Sequence, residues 1–406
     1  MATAPKKHKV VPPPGANAFG TPARSETQRM RAKGRTTVRT VALDYGNRIT
    51  LCEVSNGEVI ARTTVDDFGE LQRWLGPRTM PARVAVETCR EAWWLVRKLK
   101  AWGHEAVIVD ATRVRQLGIG QHGRKTDRID AEVLARSLEK GLIPCAHVLS
   151  EERQELRLQL SVRRALIEAR AQYITTVRGL LRAHGYRLRG GHPASFVNVV
   201  REAALDSAAR ELVTPLVVVL ETLNTQVRQC DGKIEGLATR DPVIAKLKTA
   251  PGVGTVVAAA FVSVVDDAHR FAGAHGLESY LGLVPSEHTS GKRRLGAISK
   301  HGNPYLRALL VQTAWTILRM KTADPLREWG RAVMQRRGGR VAVVALARRM
   351  AGILWAMWRK DTVYEARRVG HESAAGLRLQ AQSIQFQAAL IVRAGRKRIQ
   401  SSLSSY

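Results

Sequence analysis

The chain has 406 residues, with 65 Lys or Arg against 35 Asp or Glu and a formal charge of +30. Such an excess is the electrostatic footprint of a nucleic-acid binder, since each phosphate neutralised releases counterions. At 45% hydrophobic the sequence excludes a wholly disordered polyelectrolyte and has the length for two or three domains.

Residues 1–35 hold Pro12-Pro13-Pro14 and eight Lys or Arg against one acid, a composition expected of a disordered basic tail. Within it, Lys6-Lys7-His8-Lys9 reads as a phosphate-binding arm before it reads as a nuclear signal. No signal peptide and no run of 18 apolar residues is legible, so a soluble protein of the cell interior, without a membrane partner, is expected. Cys52, Cys89, Cys145 and Cys230 are far apart and suggest neither zinc nor disulfides; they read as small buried hydrophobes.

Residues 36–148 alternate between strand and helix patterns. Thr37 to Asp44 is β-branched and apolar, and Asn56-Gly57 joins Ile49–Ser55 to Glu58–Val65, the strongest short hairpin signal. Arg83–Glu87 and Glu105–Asp110 supply two more strands, and Asp67–Leu75, Glu91–Trp102 and Asp127–Lys140 read as helices. Three hairpin-connected strands followed by α-connected strands is the order of an RNase H-like (RuvC-like) α/β domain. No G-x-G-x-x-G follows the first strand, which argues against a Rossmann fold.

Residues 149–240 read as a helical, coiled-coil linker. Leu216, Leu220, Leu223, Val227, Cys230, Ile234 and Leu237 keep a 4-3 spacing, and Leu156, Leu160, Ile167, Ile174 and Leu181 offer a partner seam interrupted by Arg163 and Arg170. Gly190-Gly191-His192-Pro193 marks the reversal, and a plain helical bundle is the alternative on periodicity alone.

Residues 241–364 read as a mostly α domain. Pro251-Gly252-Val253-Gly254 between apolar helices has the form of a helix-hairpin-helix, whose backbone N–H groups at Gly252 and Gly254 suit phosphate contact. A polar, basic stretch from His288 to Asn303 sets Ser290 before Gly291, with Lys292, Arg293, Arg294 and Lys300 close by. A small residue after the hydroxyl allows a phosphate to approach, although Ser-Gly is also an ordinary turn pair. Residues 365–406 form an extension without a specific pattern.

Four carboxylates carry the chemistry: Asp44 and Glu87 end apolar strands, and Asp127 and Asp130 sit i,i+3 in Lys125-Thr-Asp-Arg-Ile-Asp-Ala131. Strands that neighbour one another and one helix face let all four converge. Hard oxygen ligands suit Mg²⁺, with Mn²⁺ as the alternative. An acid at a strand end is also an ordinary turn residue, and Asp127 an ordinary first-turn helix residue. There is no P-loop to couple the chemistry to a nucleotide.

The order of Asp44, Glu87, Lys125–Ala131, Pro251–Gly254, Tyr280-Leu-Gly-Leu-Val-Pro285, Ser290-Gly291 and Ile298–Asn303 resembles the DEDD transposases of the IS110 insertion sequences, over about residues 36–360. The resemblance implies a RuvC-like domain whose acids, Asp44, Glu87, Asp127 and Asp130, bind Mg²⁺. It also implies a transposase domain whose Ser290 becomes covalently linked to a DNA phosphate, in a prokaryotic, nucleoid-associated protein. A tetramer, with one subunit's acids completing the site of another's serine, and a structured bridge RNA that pairs with donor and target DNA are further implications. Lys125, Lys292, Arg293, Arg294 and Lys300 would then touch nucleic acid. A metal nuclease that only hydrolyses, and an RNA-binding protein with vestigial acids, are the other readings.

Overall fold

A computed structural model describes residues 39–77, 80–110, 127–143, 145–287 and 295–366, with the backbone alone at 127–130, 287 and 295. They fall into two compact units, 39–150 and 151–366.

The first unit is a mixed sheet with helices on both faces. β1 (Arg39–Tyr45), β2 (Ile49–Ser55) and β3 (Glu58–Val65) form an antiparallel meander, and Asn56 and Gly57, both at positive φ, make its tight turn. α1 (Phe68–Leu75) leads to β4 (Ala82–Glu87), α2 (Ala92–Ala101) to β5 (Glu105–Val109), and α3 (Asp127–Glu139) to β6 (Cys145–Ala146). The strand order is β3-β2-β1-β4-β5-β6, with β1, β4 and β5 parallel and β6 antiparallel at the edge.

Strand alternation divides the apolar residues between two faces. Val41, Leu43, Val84, Val86 and Ile108 pack with Leu71 and Leu75 of α1 and Leu95, Val96 and Leu99 of α2. Ala42, Cys52, Val54, Ala85 and Val109 pack with Ala131, Leu134, Ala135 and Leu138 of α3. His104, buried behind α2, accepts the Ala82 N–H through Nδ1 at 3.2 Å, and burial holds its pKa below the ordinary imidazole value.

The second unit is almost wholly helical. α4 (Glu151–Ala183) and α6 (Ser207–Ala238) lie antiparallel, and residues 184–206 between them carry a single turn of 3-10 helix and α5 (Phe196–Arg201). The reversal is therefore wider than Gly190–Pro193. Val177, Leu181, Val213 and Leu220 close this end around Phe196, Val197 and Val200. The 4-3 positions of α6 from Leu216 to Leu237 are all buried or half-buried. Arg163 and Arg170 occupy the facing seam without breaking it: Arg163 Nε donates to Asp231 at 2.5 Å and Arg170 Nη1 to Asn224 Oδ1 at 3.1 Å.

Beyond the pair come α7 (Pro242–Leu247), α8 (Thr255–Val265), α9 (Ala274–Tyr280), a short antiparallel pair β7 (Pro285–Glu287) and β8 (Leu295–Ile298), then α10 (Pro304–Arg319), α11 (Pro325–Arg337) and α12 (Gly339–Arg359). Residues 258–265 of α8 are all buried, as befits a central helix that is apolar on every side. Leu156 and Leu160 of α4 and Ile234 and Ala238 of α6 join this core, so the helical pair is rooted in it.

α12 is long and apolar enough by composition to cross a bilayer, but its stripe from Ala342 to Met357 is buried against the other helices, the position of a core helix. One expectation needs correcting. Cys145 is exposed rather than buried, because the two-residue edge strand that holds it has no outer neighbour among the described residues.

Candidate functional site

Sheet register brings two of the acids together. β1 and β4 run parallel with Leu43 opposite Val86, so Asp44 and Glu87 are the next residues along neighbouring strands. Alternation from Ala42 and Ala85 sets both on the α3 face, where each is half-buried. The Glu87 side chain makes no hydrogen bond or ion pair among the described residues. Asp110, which follows β5, adds a third acid at the carboxyl ends of three adjacent parallel strands.

The direction of α3 follows from its contacts. Its last turns reach the β2–β3 turn, where Glu139 Oε2 accepts the Gly57 N–H at 2.8 Å and Arg136 bonds the Gly57 carbonyl. Halfway along, Glu132 pairs with Arg62 of β3. The first turn, residues 127–130, therefore lies toward the opposite end of the sheet, the end of Asp44 and Glu87. The Asp127 and Asp130 side chains, and Lys125, lie outside the described residues. Among the described residues no group of three metal-ligating side chains stands together.

Other acids at this edge have structural work. Asp67 caps α1 by accepting the Glu70 N–H at 2.8 Å, Glu70 returns to the Asp66 N–H at 2.9 Å, and Asp66 pairs with Arg48.

Ser290, Lys292, Arg293 and Arg294 lie outside the described residues, and the strands on either side of their segment form its base. β7 and β8 pair Pro285 with Ile298 and Glu287 with Leu295, and 288–294 connect them. Ser286 Oγ donates to the Ala297 carbonyl at 3.0 Å. Below the strands, Ser299 N bonds Val284 O at 2.9 Å and Lys300 N bonds Gly282 O at 3.1 Å.

Two glycines interlock there. A Cβ on Gly282 (φ +68) would stand 2.2 Å from the His301 carbonyl, and one on Gly302 (φ +75) 2.0 Å from the Tyr280 carbonyl, so the backbones cross where only hydrogen fits. Arg307 Nη1 ties the two segments by donating to Leu281 O at 3.0 Å and His301 O at 2.8 Å. Lys300, exposed at φ 57, takes the left-handed conformation this crossing requires. Sequence reasoning named Lys300 but missed Arg307, whose sole signal was its place one turn into the helix after His301-Gly302-Asn303.

At the hairpin, Gly252 (φ +72) lays its backbone against Thr313 and Ile317 of α10, where a Cβ would meet three atoms at 3.3 Å. Its glycine is thus explained by packing, whether or not phosphate binds. Gly254 is the N-cap of α8 and has open space beside it. Glu235 sits at this helix start: hydrogen bonds from Thr255 and from Lys248, at 3.0 Å, hold its carboxyl below the ordinary range. The hairpin mouth thus favours an anion and already holds an internal one.

Comparison with known proteins follows the same two regions. A family model described as Transposase, of the DEDD type of IS110 elements, matches residues 41–185, and a model described as Transposase IS116/IS110/IS902 family matches residues 244–328. The chain is 32% identical to a probable family 20 transposase of Pseudomonas aeruginosa, over 70% of this chain and 86% of that protein. It is 29% identical to the transposase for insertion sequence element IS1111A of Coxiella burnetii, over 69% of this chain and 79% of that one. Against the transposase for insertion sequence element IS1328 of Yersinia enterocolitica it is 26% identical, over 77% and 94%.

Proposed function

The chain belongs to the IS110 family of DEDD transposases, and from that premise we propose that it is an RNA-guided recombinase that cuts and rejoins DNA through a phosphoserine intermediate. The observation that carries this reading is the placing of Asp44 and Glu87 on adjacent strands, on the face and at the end to which the first turn of α3 points.

On this reading the first unit is a RuvC-like, RNase H-like domain; the order β3-β2-β1-β4-β5, with β2 antiparallel, supports it. The paired helices α4 and α6 are a coiled coil, and 241–364 is the serine-bearing domain. Asp44, Glu87, Asp127 and Asp130 would hold Mg²⁺ or Mn²⁺; the half-buried, same-face pair at the strand ends is a hard-oxygen donor set that fits such an ion. Bound there, the ion supplies Lewis-acid stabilisation of phosphoryl charge.

Ser290 Oγ attacks the phosphorus, its proton passes to a carboxylate or water at the site, the P–O3′ bond breaks, and a proton returned from that carboxylate or water lets the 3′ oxygen leave as a hydroxyl. Arg293, Arg294 and Lys292 clamp the phosphate oxygens. The phosphoserine ester keeps the energy of the broken bond, so a new 3′ hydroxyl can reverse the step without a nucleotide cofactor. Lys125, Lys300 and the Gly252–Gly254 turn contact backbone phosphates, with Glu235 yielding its place at the turn. Base pairing with a structured guide RNA sets sequence choice, and a tetramer brings one subunit's acids to another's serine.

Ser290→Ala separates this from simple metal-dependent hydrolysis. Recombination requires that both the covalent protein–DNA adduct, read on a denaturing gel, and strand exchange be lost. Continued cutting by Ser290→Ala at the parent rate would establish the hydrolase instead. Full exchange by the double variant Asp127→Ala, Asp130→Ala would remove the metal role.

A further inference from the structure

Between Arg319 and Arg340 the second unit carries seven Lys or Arg against two acids. One of the acids, Asp324, is committed to capping α11 and to the Tyr364 hydroxyl. No carboxylate pairs with Arg319, Arg336, Arg337 or Arg340 among the described residues, and all four are exposed. In their midst Trp315 of α10 is 37% exposed, with the Arg319 guanidinium 5.2 Å from its ring centroid. The far edge of the indole lies 3.8 Å from where a Gly339 Cβ would stand, so the ring rests against the first turn of α12. That turn, preceded by Gly338 at φ +81, has no side-chain cap. Arg336, Arg337 and Arg340 lie beyond the second family match, which ends at residue 328, while Trp315 and Arg319 lie within it.

We propose that Trp315, Arg319, Arg337 and Arg340 form a binding site for single-stranded DNA, in which an unpaired base stacks on the indole and its phosphates lie against the arginines. Unpaired cations of one sign call for a polyanion, and an exposed indole among them adds a π-face that every base can use. Duplex DNA hides its base faces and would leave the indole idle. DNA is the nucleic acid a transposase must handle, and cleavage exposes its single strands. The site is independent of Ser290 and of the four acids.

The test is fluorescence anisotropy of a short fluorescein-labelled oligothymidylate with the full-length protein at several salt concentrations. Trp315→Leu should weaken binding at least ~5-fold with the salt slope unchanged, and Trp315→Phe should restore most of it. The triple variant Arg319→Gln, Arg337→Gln, Arg340→Gln should instead flatten the log–log salt slope by about 2, at about 0.7 per phosphate. Parental affinity in Trp315→Leu together with an unchanged slope in the triple variant would overturn the proposal. So would stronger competition by a duplex, or by RNA of the same base sequence, than by unlabelled single-stranded DNA. The triple variant alters only exposed side chains, so it remains informative even where Trp315→Leu lowers the melting temperature.

Discussion

Gly302→Ala tests the crossing beneath the Ser290 segment. The new methyl would stand 2.0 Å from the Tyr280 carbonyl, and the residue sits at φ +75, so the chain must both accept a strained conformation and move apart. Left-handed strain alone costs about 1–2 kcal/mol. Separation also loosens the Arg307 bonds to Leu281 and His301 and the Lys300–Gly282 bond, each worth about 1 kcal/mol, for a total of about 4–5 kcal/mol. Gly185→Ala is the control: it has φ +84 with nothing within 4 Å of its Cβ, so strain of about 1–2 kcal/mol is its whole cost. Native-state hydrogen exchange at the Ser299 and Lys300 amides, which are bonded across the crossing, reads the difference locally. Gly302→Ala should lower their protection by at least about 2 kcal/mol more than Gly185→Ala does. Equal protection in the two variants would refute the interlock, and with it the idea that the hairpin base is held rigid.

Three further outcomes are expected. Asn224→Ala leaves Arg170, 8% exposed, short of an acceptor and should cost about 1.5–3 kcal/mol, whereas Arg170→Leu with Asn224→Leu should be neutral or stabilising; urea midpoints of the variants decide it. His104 is buried with its pKa lowered, so as pH falls below the ordinary value of about 6.5 the unfolded chain takes up a proton that the native unit refuses. Stability present above that pH is then lost on acidification; the slope of the urea midpoint against pH should flatten in His104→Asn and persist if another group is responsible. Leu134→Ala, at a position 4% exposed between α3 and the sheet, should cost about 2–4 kcal/mol in thermal unfolding, and a cost near zero would mean that α3 is not anchored there.

What was legible in the sequence had enough length to show a period. Ile49–Ser55 and Glu58–Val65 were read with the boundaries the structure gives, because Asn56-Gly57 fixes the turn and alternation fixes the faces. β6, β7 and β8, of two, three and four residues, are too short to alternate visibly, and their pairing depends on partners distant in sequence. Arg163 and Arg170 looked like interruptions for a related reason: their partners Asp231 and Asn224 are 68 and 54 residues away, and only the antiparallel register matches them. Gly282 and Gly302 each pass for a turn residue when read singly, and their crossing is a property of the pair.

The acids show how pattern and packing combine. Along β1 and β4 the α3-facing positions run Ala42 then Asp44, and Ala85 then Glu87. Ala131 and Ala135 of α3 share one core with these alanines, and residues this small let a helix lie close to a sheet. At the next position on the same face both strands change from alanine to carboxylate, and α3 has by then reached its first turn. On β1 and β4, apolar contact with α3 therefore ends where charge begins. The alternation needed for the core and the spacing needed for the acids are one pattern, which is why strand-end acids could be picked out from the sequence. What it could not supply was the direction of α3, fixed by Gly57 bonding to Arg136 and Glu139 at the far end of the sheet.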